Sequence, residues 1–336
     1  RNSASGLLPE PTPSASTRNA VIAALEHIPA RARPLLVGYS GGLDSTVLLH
    51  AAVQVFGTDA VIAVHVHHGL QAQADEWLAH CQQQAKAWGV QCEAEYAAPA
   101  PEKPDGGLEN WAREARRMAF SRAGARRKAV HLLLAQHADD QIETIVQRLL
   151  GGTGSHGLAG MAVSSLRDGL WVHRPLLSLR QDVLRAYAGA HNLAFIEDPS
   201  NQDLSFLRNR LRHRVLPELE QVCPGLGDAL LRTAQHLGQT NRALDALLFD
   251  GQGAPEVLDR KSLRQANPDV AGLMLRAWLR KHGLRLPDQN RFVQMLAQLM
   301  ASDSAYATIE HDGKTIYRYR DRITCESPGE PIPPAI

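Results

Sequence analysis

The chain has 336 residues, 44% hydrophobic and 21% charged, with a formal net charge of +1. That length predicts about two domains, and the composition excludes a mainly disordered, collagen-like or coiled-coil chain. No apolar run approaches the ~18–20 residues of a membrane helix, and the four scattered cysteines (Cys81, Cys92, Cys223, Cys325) form no Cys-x-x-Cys pair. A disulfide framework, an iron–sulfur cluster and a cysteine-rich zinc site are disfavoured, and a cytoplasmic setting is expected.

Arg1–Thr17, rich in Ser, Ala and Pro, reads as a disordered leader (residues 1–17) without the apolar core of a secretory signal. Leu35–Tyr39 is a short apolar run, a buried strand feeding a Gly-rich loop, and Ser45–Phe56 is a helix. Ala60–Val66 is a second strand, Ala72–Trp88 helical, Gln91–Tyr96 a third strand. Leu108–Gly124 is helical, Val130–Ala135 a buried strand and Ala138–Leu150 a helix. Strands alternating with helices predict an α/β fold with a doubly wound parallel sheet, whose ligands sit at the carboxyl ends of the strands. After Gly160 the pattern turns helical: Arg180–His191, Ser205–Leu219, Leu226–Phe249, Asn267–His282 and Asp288–Ala301. Tyr306–His311 and Lys314–Arg320 flank Asp312-Gly313 as a small β-hairpin with a type I′ turn, and the chain ends in Pro-rich coil. A mainly helical second domain is therefore expected, with boundaries 18–216 and 217–336.

The chemistry concentrates in Val37-Gly38-Tyr39-Ser40-Gly41-Gly42-Leu43-Asp44-Ser45. Glycines expose backbone N–H groups to a phosphate, the helix N-terminus adds a favourable dipole, and Asp44 offers a carboxylate to Mg²⁺. No Walker lysine follows, which argues against an ordinary P-loop kinase. A turn in which Asp44 and Ser45 merely cap a helix is the bland alternative. Gly152-Thr153-Gly154-Ser155-His156-Gly157 matches GxGxxG, but it follows a helix instead of a strand, so the dinucleotide reading is poor.

Ser40–Ser45 resembles the loop of the N-type ATP pyrophosphatases, the PP-loop superfamily. Three further segments narrow it: Ala63-Val64-His65-Val66-His67-His68-Gly69-Leu70, Gln136-His137-Ala138-Asp139-Asp140-Gln141-Ile142-Glu143-Thr144 and Gly152–Met161. Arg174-Pro175-Leu176-Leu177, Glu197–Asn201 and Arg208-Asn209 complete the ordered set. It resembles the tRNA(Ile)-lysidine synthetase family, strongly over Leu35–Pro217 and more loosely beyond. The resemblance implies an adenine nucleotide alpha hydrolase-like fold and a ligase using ATP and Mg²⁺. Such a ligase adenylates C2 of the wobble cytidine in CAU-anticodon tRNA(Ile) and joins L-lysine there, releasing pyrophosphate and AMP. Longer members carry a further C-terminal domain, which the resemblance implies this chain lacks. A PP-loop thiolase and a non-catalytic nucleotide-binding module are the rivals; scattered cysteines count against the thiolase. No membrane partner is expected, and the oligomeric state stays open, a homodimer included.

The resemblance implies nucleotide contacts at Ser40, Gly41, Gly42, Leu43, Asp44, Ser45, His65, His67, Gly152 and Gly154. It implies catalytic roles for Asp44, Asp140, Arg113 and Arg208, a lysine pocket at His137, Asp139 and Glu143, and Mg²⁺ on Asp44 and Asp140. His137 or a carboxylate is the candidate acceptor of the lysine proton. On the residues alone, several choices stay open. The histidines of 65–68 suit either a metal or a cleft wall, with His65 and His67 on one strand face. Asp139 and Asp140 are favoured at a helix start in any case, although Asp140 and Glu143 share a face. Residues 113–128 hold seven basic side chains and one acid, and 204–217 hold four arginines and none. Each is either a solvated face or an anion-binding one. Of the 36 basic residues only six are lysine, which codon bias or phosphate recognition by arginine explains equally well.

Overall fold

Short apolar runs bounded by glycine make strands buried on both faces, and this chain builds its first unit around them. A computed structural model describes residues 15–29, 34–69, 71, 73–101, 107–301 and 306–326. It separates into two compact units, Arg1–Gln235 and His236–Ile336. Residues 1–14 of the expected leader lie outside the described residues, as does the chain after residue 326; Ala15–Glu26 is a helix (α1).

In the first unit the strands are β1 (Leu35–Gly38), β2 (Val61–His67), β3 (Gln91–Tyr96), β4 (His131–Leu133), β5 (Ser164–Arg167) and β6 (Leu170–His173). They form one sheet in the order β3-β2-β1-β4-β6-β5. All neighbours are parallel except β5, which runs antiparallel to β6 at the edge. Between and beyond them lie α2 (Leu43–Phe56), α3 (Ala74–Ala87), α4 (Gly107–Arg127), α5 (Ala138–Leu150), α6 (Ser155–Leu158) and α7 (Gln181–Ala190). Strand alternation puts Leu35 and Val37 into one core with α1, α2 and α7, and Leu36 into another with Phe120 and Ala123 of α4. Each fully buried leucine contributes about 1.5–3 kcal/mol, so the two-layer burial fixes β1, and the loop after it, at the sheet's centre.

The β5–β6 hairpin is absent from the sequence reading. Its cross-strand pair Leu166 and Trp171 is 60% and 44% exposed, so the segment carries no clean buried-strand signature. The single helix expected over Ser205–Leu219 is instead α8 (Leu207–Arg210), a π-helical turn (Leu211–Val215) and α9 (Leu216–Val222). Pro217 follows that wider turn, where its missing N–H is tolerated. Four of the seven basic side chains in 113–128 are neutralised on the spot. Arg117 pairs with Glu114 and Asp168, and Arg122, Arg126 and Arg127 pair with Glu93 and Glu95 of β3.

Helix α10 (Leu226–Leu248) carries the boundary between the units. The second unit contains β7 (Leu258–Asp259), α11 (Arg260–Gln265), α12 (Pro268–Lys281), α13 (Gln289–Met300), β8 (Tyr306–His311), β9 (Lys314–Tyr319) and β10 (Arg322–Glu326). Its core centres on Trp278 and Leu279 with Phe292, Met295 and Ile316. Asp312 and Gly313 both have positive φ, as the expected type I′ turn requires. The hairpin belongs to a larger sheet, β7-β10-β9-β8. Arg318, 1% exposed, donates to the carbonyls of Leu299 and Ala301 at the end of α13.

Candidate active site at the carboxyl edge of the sheet

The loop after β1 is shaped by its own small side chains. Ser45 Oγ accepts the Ser40 N–H at 3.2 Å, lies 3.0 Å from Ser40 Oγ, and donates to the Gly42 carbonyl at 3.0 Å. Thr46 Oγ1 donates to the Gly41 carbonyl at 3.2 Å. Gly41 has φ +84°, and a Cβ there would stand 2.8 Å from both Cys81 Sγ and Ile196 Cδ1, so no other residue suits the turn. The Ile196 N–H closes the back of the loop on the Gly41 carbonyl at 2.8 Å. Gly42 caps α2 without a side-chain bond, leaving the helix N-terminus open, and Asp44 stands in its first turn.

His137 caps α5 after β4, the strand on the other side of β1. Its Nδ1 accepts the Asp139 N–H at 3.2 Å, and Asp140 Oδ2 accepts the His137 N–H at 3.1 Å. The ring is fully buried and faces three carboxylates: Nε2 is 3.6 Å from Asp44 Oδ2 and from Asp140 Oδ2, and Nδ1 is 3.4 Å from Asp139 Oδ2. Burial opposes the charge, but the contacts to Asp139 and Asp44 and the Asp140 carboxylate outweigh it, raising the imidazole to about 10. Accepting the Asp139 N–H needs the Nδ1 lone pair and so belongs to the neutral ring, whereas the surrounding acids favour the cation. Asp139 is drawn down to about 2 against its own burial by His137, the Gln181 N–H (2.8 Å) and Arg180 (3.2 Å). Asp44 Oδ1 and His137 Nε2 are among the buried atoms without a hydrogen-bond partner.

One turn along α5, Asp140 and Glu143 meet Arg208 and Arg212. Arg208 donates from Nε to Glu143 (2.6 Å) and from Nη2 to Asp140 (2.6 Å). Arg212 donates from Nε to Glu143 (2.5 Å) and from Nη2 to Asp140 (3.1 Å). Glu143 is almost wholly buried, while the two guanidiniums are about a third exposed. Burial works against Arg212, yet its bond to Glu143 raises it above the ordinary arginine value. Two of the four arginines of 204–217, Arg208 and Arg212, thus pair with Asp140 and Glu143, whereas Asp198 and Asp203 accept from Ser200 and Ser205 N–H groups. Arg212 is the site member that sequence reasoning left out of its choices; its i, i+4 spacing from Arg208 was the available signal.

The other expected residues lie on β2, on α4 and in the segment after α5. His65 Nδ1 lies 3.0 Å from the Tyr39 carbonyl, and His67 contacts Asp75 (3.1 Å) and the Tyr96 ring. Arg113 is exposed on α4, and its charge reaches Arg148 and Arg174. Gly152 and Gly154 have nothing within 4 Å of a Cβ position, so the structure demands no glycine by close approach there. No group of three or more potential metal ligands occurs among the described residues.

Residues 15–219 match a family described as the PP-loop domain, and residues 258–324 match the TilS substrate binding domain. A tRNA(Ile)-lysidine synthase of Alkalilimnicola ehrlichii is 41% identical over 311 residues, covering 88% of this chain and 67% of that protein. The chain belongs to the tRNA(Ile)-lysidine synthase family. Within that family, the Burkholderia pseudomallei protein is 43% identical over 303 residues, which cover 88% of this chain. The chain spans 62% of that relative's length. Among solved structures, a U34-tRNA thiolase from Methanococcus maripaludis shares the fold (TM-score 0.56, 16% identity, 66% of this chain and 78% of that one). No helix among the described residues is long and apolar enough to cross a membrane.

Proposed function

We propose that this chain carries the catalytic part of a lysidine-forming ligase, with residues 18–216 as the ATP-binding domain and 217–336 as an RNA-binding one. The observation that carries the reading is the meeting of Asp44, from the loop after β1, with His137, from the end of β4. They converge at the point where the strand order reverses, the place where open α/β sheets bind ligands. The glycine loop at Ser40–Ser45, leading into the N-terminus of α2, suits the phosphates of ATP. The His65 and His67 rings already have partners, so it is the backbone at the end of β2 that suits the adenine.

The buried, unpartnered Asp44 Oδ1 fits a divalent cation. Mg²⁺ commonly takes one or two carboxylates plus substrate phosphates and water. Asp44 would hold it, and the ion would offset phosphate charge when bound. Asp140 is the weaker ligand, because both of its oxygens already accept hydrogen bonds.

The wobble cytosine O2 attacks the α-phosphate and pyrophosphate leaves. Arg113 and the His137 cation suit the charge that develops there. A ring protonated at neutral pH is a poor proton acceptor, so His137 serves as a positive partner to phosphate and not as the base for lysine. The lysine ε-amine then attacks C2, the C2–O bond to AMP breaks, and the amine proton passes to solvent or a carboxylate. The amine must be free at the reacting end, so recognition falls on the amino-acid end. A zwitterion places its ammonium against Asp140 and Glu143 and its carboxylate against Arg208 and Arg212, in bidentate geometry. His137 and Asp139 flank that network as positioning residues.

The test combines the protein with ATP, Mg²⁺, labelled lysine and CAU-anticodon tRNA(Ile). Lysine label entering the tRNA with release of AMP is the expected result. Pyrophosphate release that ignores lysine, with no label in RNA, refutes the reading.

A further inference from the structure

The Gly-rich segment after α5 is fastened by two arginines and a glutamine. Arg148 Nη1 donates to the carbonyls of Gly157 (2.9 Å) and Gly160 (2.7 Å). The Gln141 side chain makes a reciprocal pair with the Met161 backbone at 2.9 and 2.7 Å. Arg174 Nη1 donates to the Ala162 carbonyl (2.9 Å) and to Ser165 Oγ (3.4 Å). Arg174 is only 8% exposed, and its Nε is buried with no hydrogen-bond partner. Ser165 and Arg167 are two apart on β5 and share a strand face, so Arg167 stands on the face that the Arg174 guanidinium reaches.

Among the described residues no carboxylate pairs with Arg148, Arg167 or Arg174, and the adjacent Asp168 is held by Arg117. A buried guanidinium without a counter-charge is costly. Burial first, then the charges of Arg167, Arg113 and Arg148, push Arg174 down to about 10.

We propose that Arg148, Arg167 and Arg174 seat the phosphodiester backbone of the RNA substrate along the β5–β6 edge of the first unit, leading away from the catalytic cleft. The inference rests on the RNA-modifying reading above and adds to it a surface on the first unit. Arg174 follows β6 at the carboxyl edge that also carries the phosphate loop. Arg167 lies on the edge strand beside Leu170, at the start of β6 and so toward the opposite end of the strands; it is three strand spacings from β1, a lateral separation of about 14 Å. A nucleotide triphosphate seated on Ser40–Ser45 does not span both places, whereas an RNA backbone with its wobble base in the cleft runs across them.

Arg167 is exposed and fastens nothing, so its variants keep the loop intact. The experiment measures binding of labelled tRNA(Ile) to the full chain across a salt series, for wild type, Arg167→Glu and Arg167→Lys, with ATP affinity measured in parallel. Arg167→Glu should weaken tRNA binding about fivefold or more and reduce the slope of log K against log salt by about 0.7–1. Arg167→Lys should keep the wild-type slope, and ATP affinity should be equal in all three. A wild-type tRNA affinity and slope in Arg167→Glu overturns the proposal. So does a loss of ATP affinity in place of tRNA affinity, which assigns the arginines to the nucleotide. Lysidine formation by the wild-type chain with Arg167→Glu indistinguishable from it refutes this seat alone. A wild-type chain that neither binds nor modifies tRNA refutes the functional reading together with it.

Discussion

Replacing His137 with Asn tests the electrostatic centre of the site. Asn offers an oxygen that can accept the Asp139 N–H and cap α5, while the titrating ring is gone. The imidazole is raised to about 10 in the folded chain against an ordinary 6.5. Between those values the folded state binds a proton that the unfolded chain has released. The stabilisation is therefore complete below pH 6.5 and is lost as pH rises through 10. At about 1.4 kcal/mol per unit the ceiling is about 5 kcal/mol, and we expect about 2–3 kcal/mol once Asp44, Asp139 and Asp140 relax around a neutral ring. Urea unfolding at intervals from pH 6 to pH 10 measures it as the difference between wild type and His137→Asn. That difference cancels the lysines, tyrosines and cysteines that titrate in the same range. The stability gap between the two proteins should shrink steadily toward alkaline pH. A gap that stays constant, or an imidazole signal titrating near 6.5 in wild type, refutes a cationic His137.

Asp44→Asn should abolish pyrophosphate release while leaving far-UV circular dichroism unchanged; sustained turnover would take the cation away from Asp44. Glu143→Gln removes the charge shared by Arg208 and Arg212. With both arginines partly solvated the cost should be roughly 2 kcal/mol, seen in chemical denaturation, along with a raised KM for lysine. An unchanged KM would make the four-residue network purely structural. Gly41→Ala forces a side chain into a positive-φ turn against Cys81 and Ile196. A loss of about 2–4 kcal/mol and weakened ATP binding are expected, and a fully stable variant would show that the loop has slack.

The sequence alone determined the strands and helices from Leu35 to Leu150, the phosphate loop and its place between a strand and a helix; it missed α1, whose start falls in the stretch read as a leader. Those signals are local: runs of apolar residues, glycines at a turn, a carboxylate in the first helical turn. It also placed Asp140 with Glu143, because helical spacing is a property of the chain. Only the tertiary structure decided that this pair faces Arg208 and Arg212, since nothing local sets the separation of 65 positions between Glu143 and Arg208. The same holds for His137, whose charge comes from acids on two elements, and for Gly41, whose crowding comes from Cys81 and Ile196. The basic run at 113–128 shows the limit most clearly. Its charges read as a patch for an anion, yet most of them are spent on β3 and Asp168. The anion seat we assign instead gathers single arginines from α5, β5 and the end of β6, which only the packing of the sheet brings together.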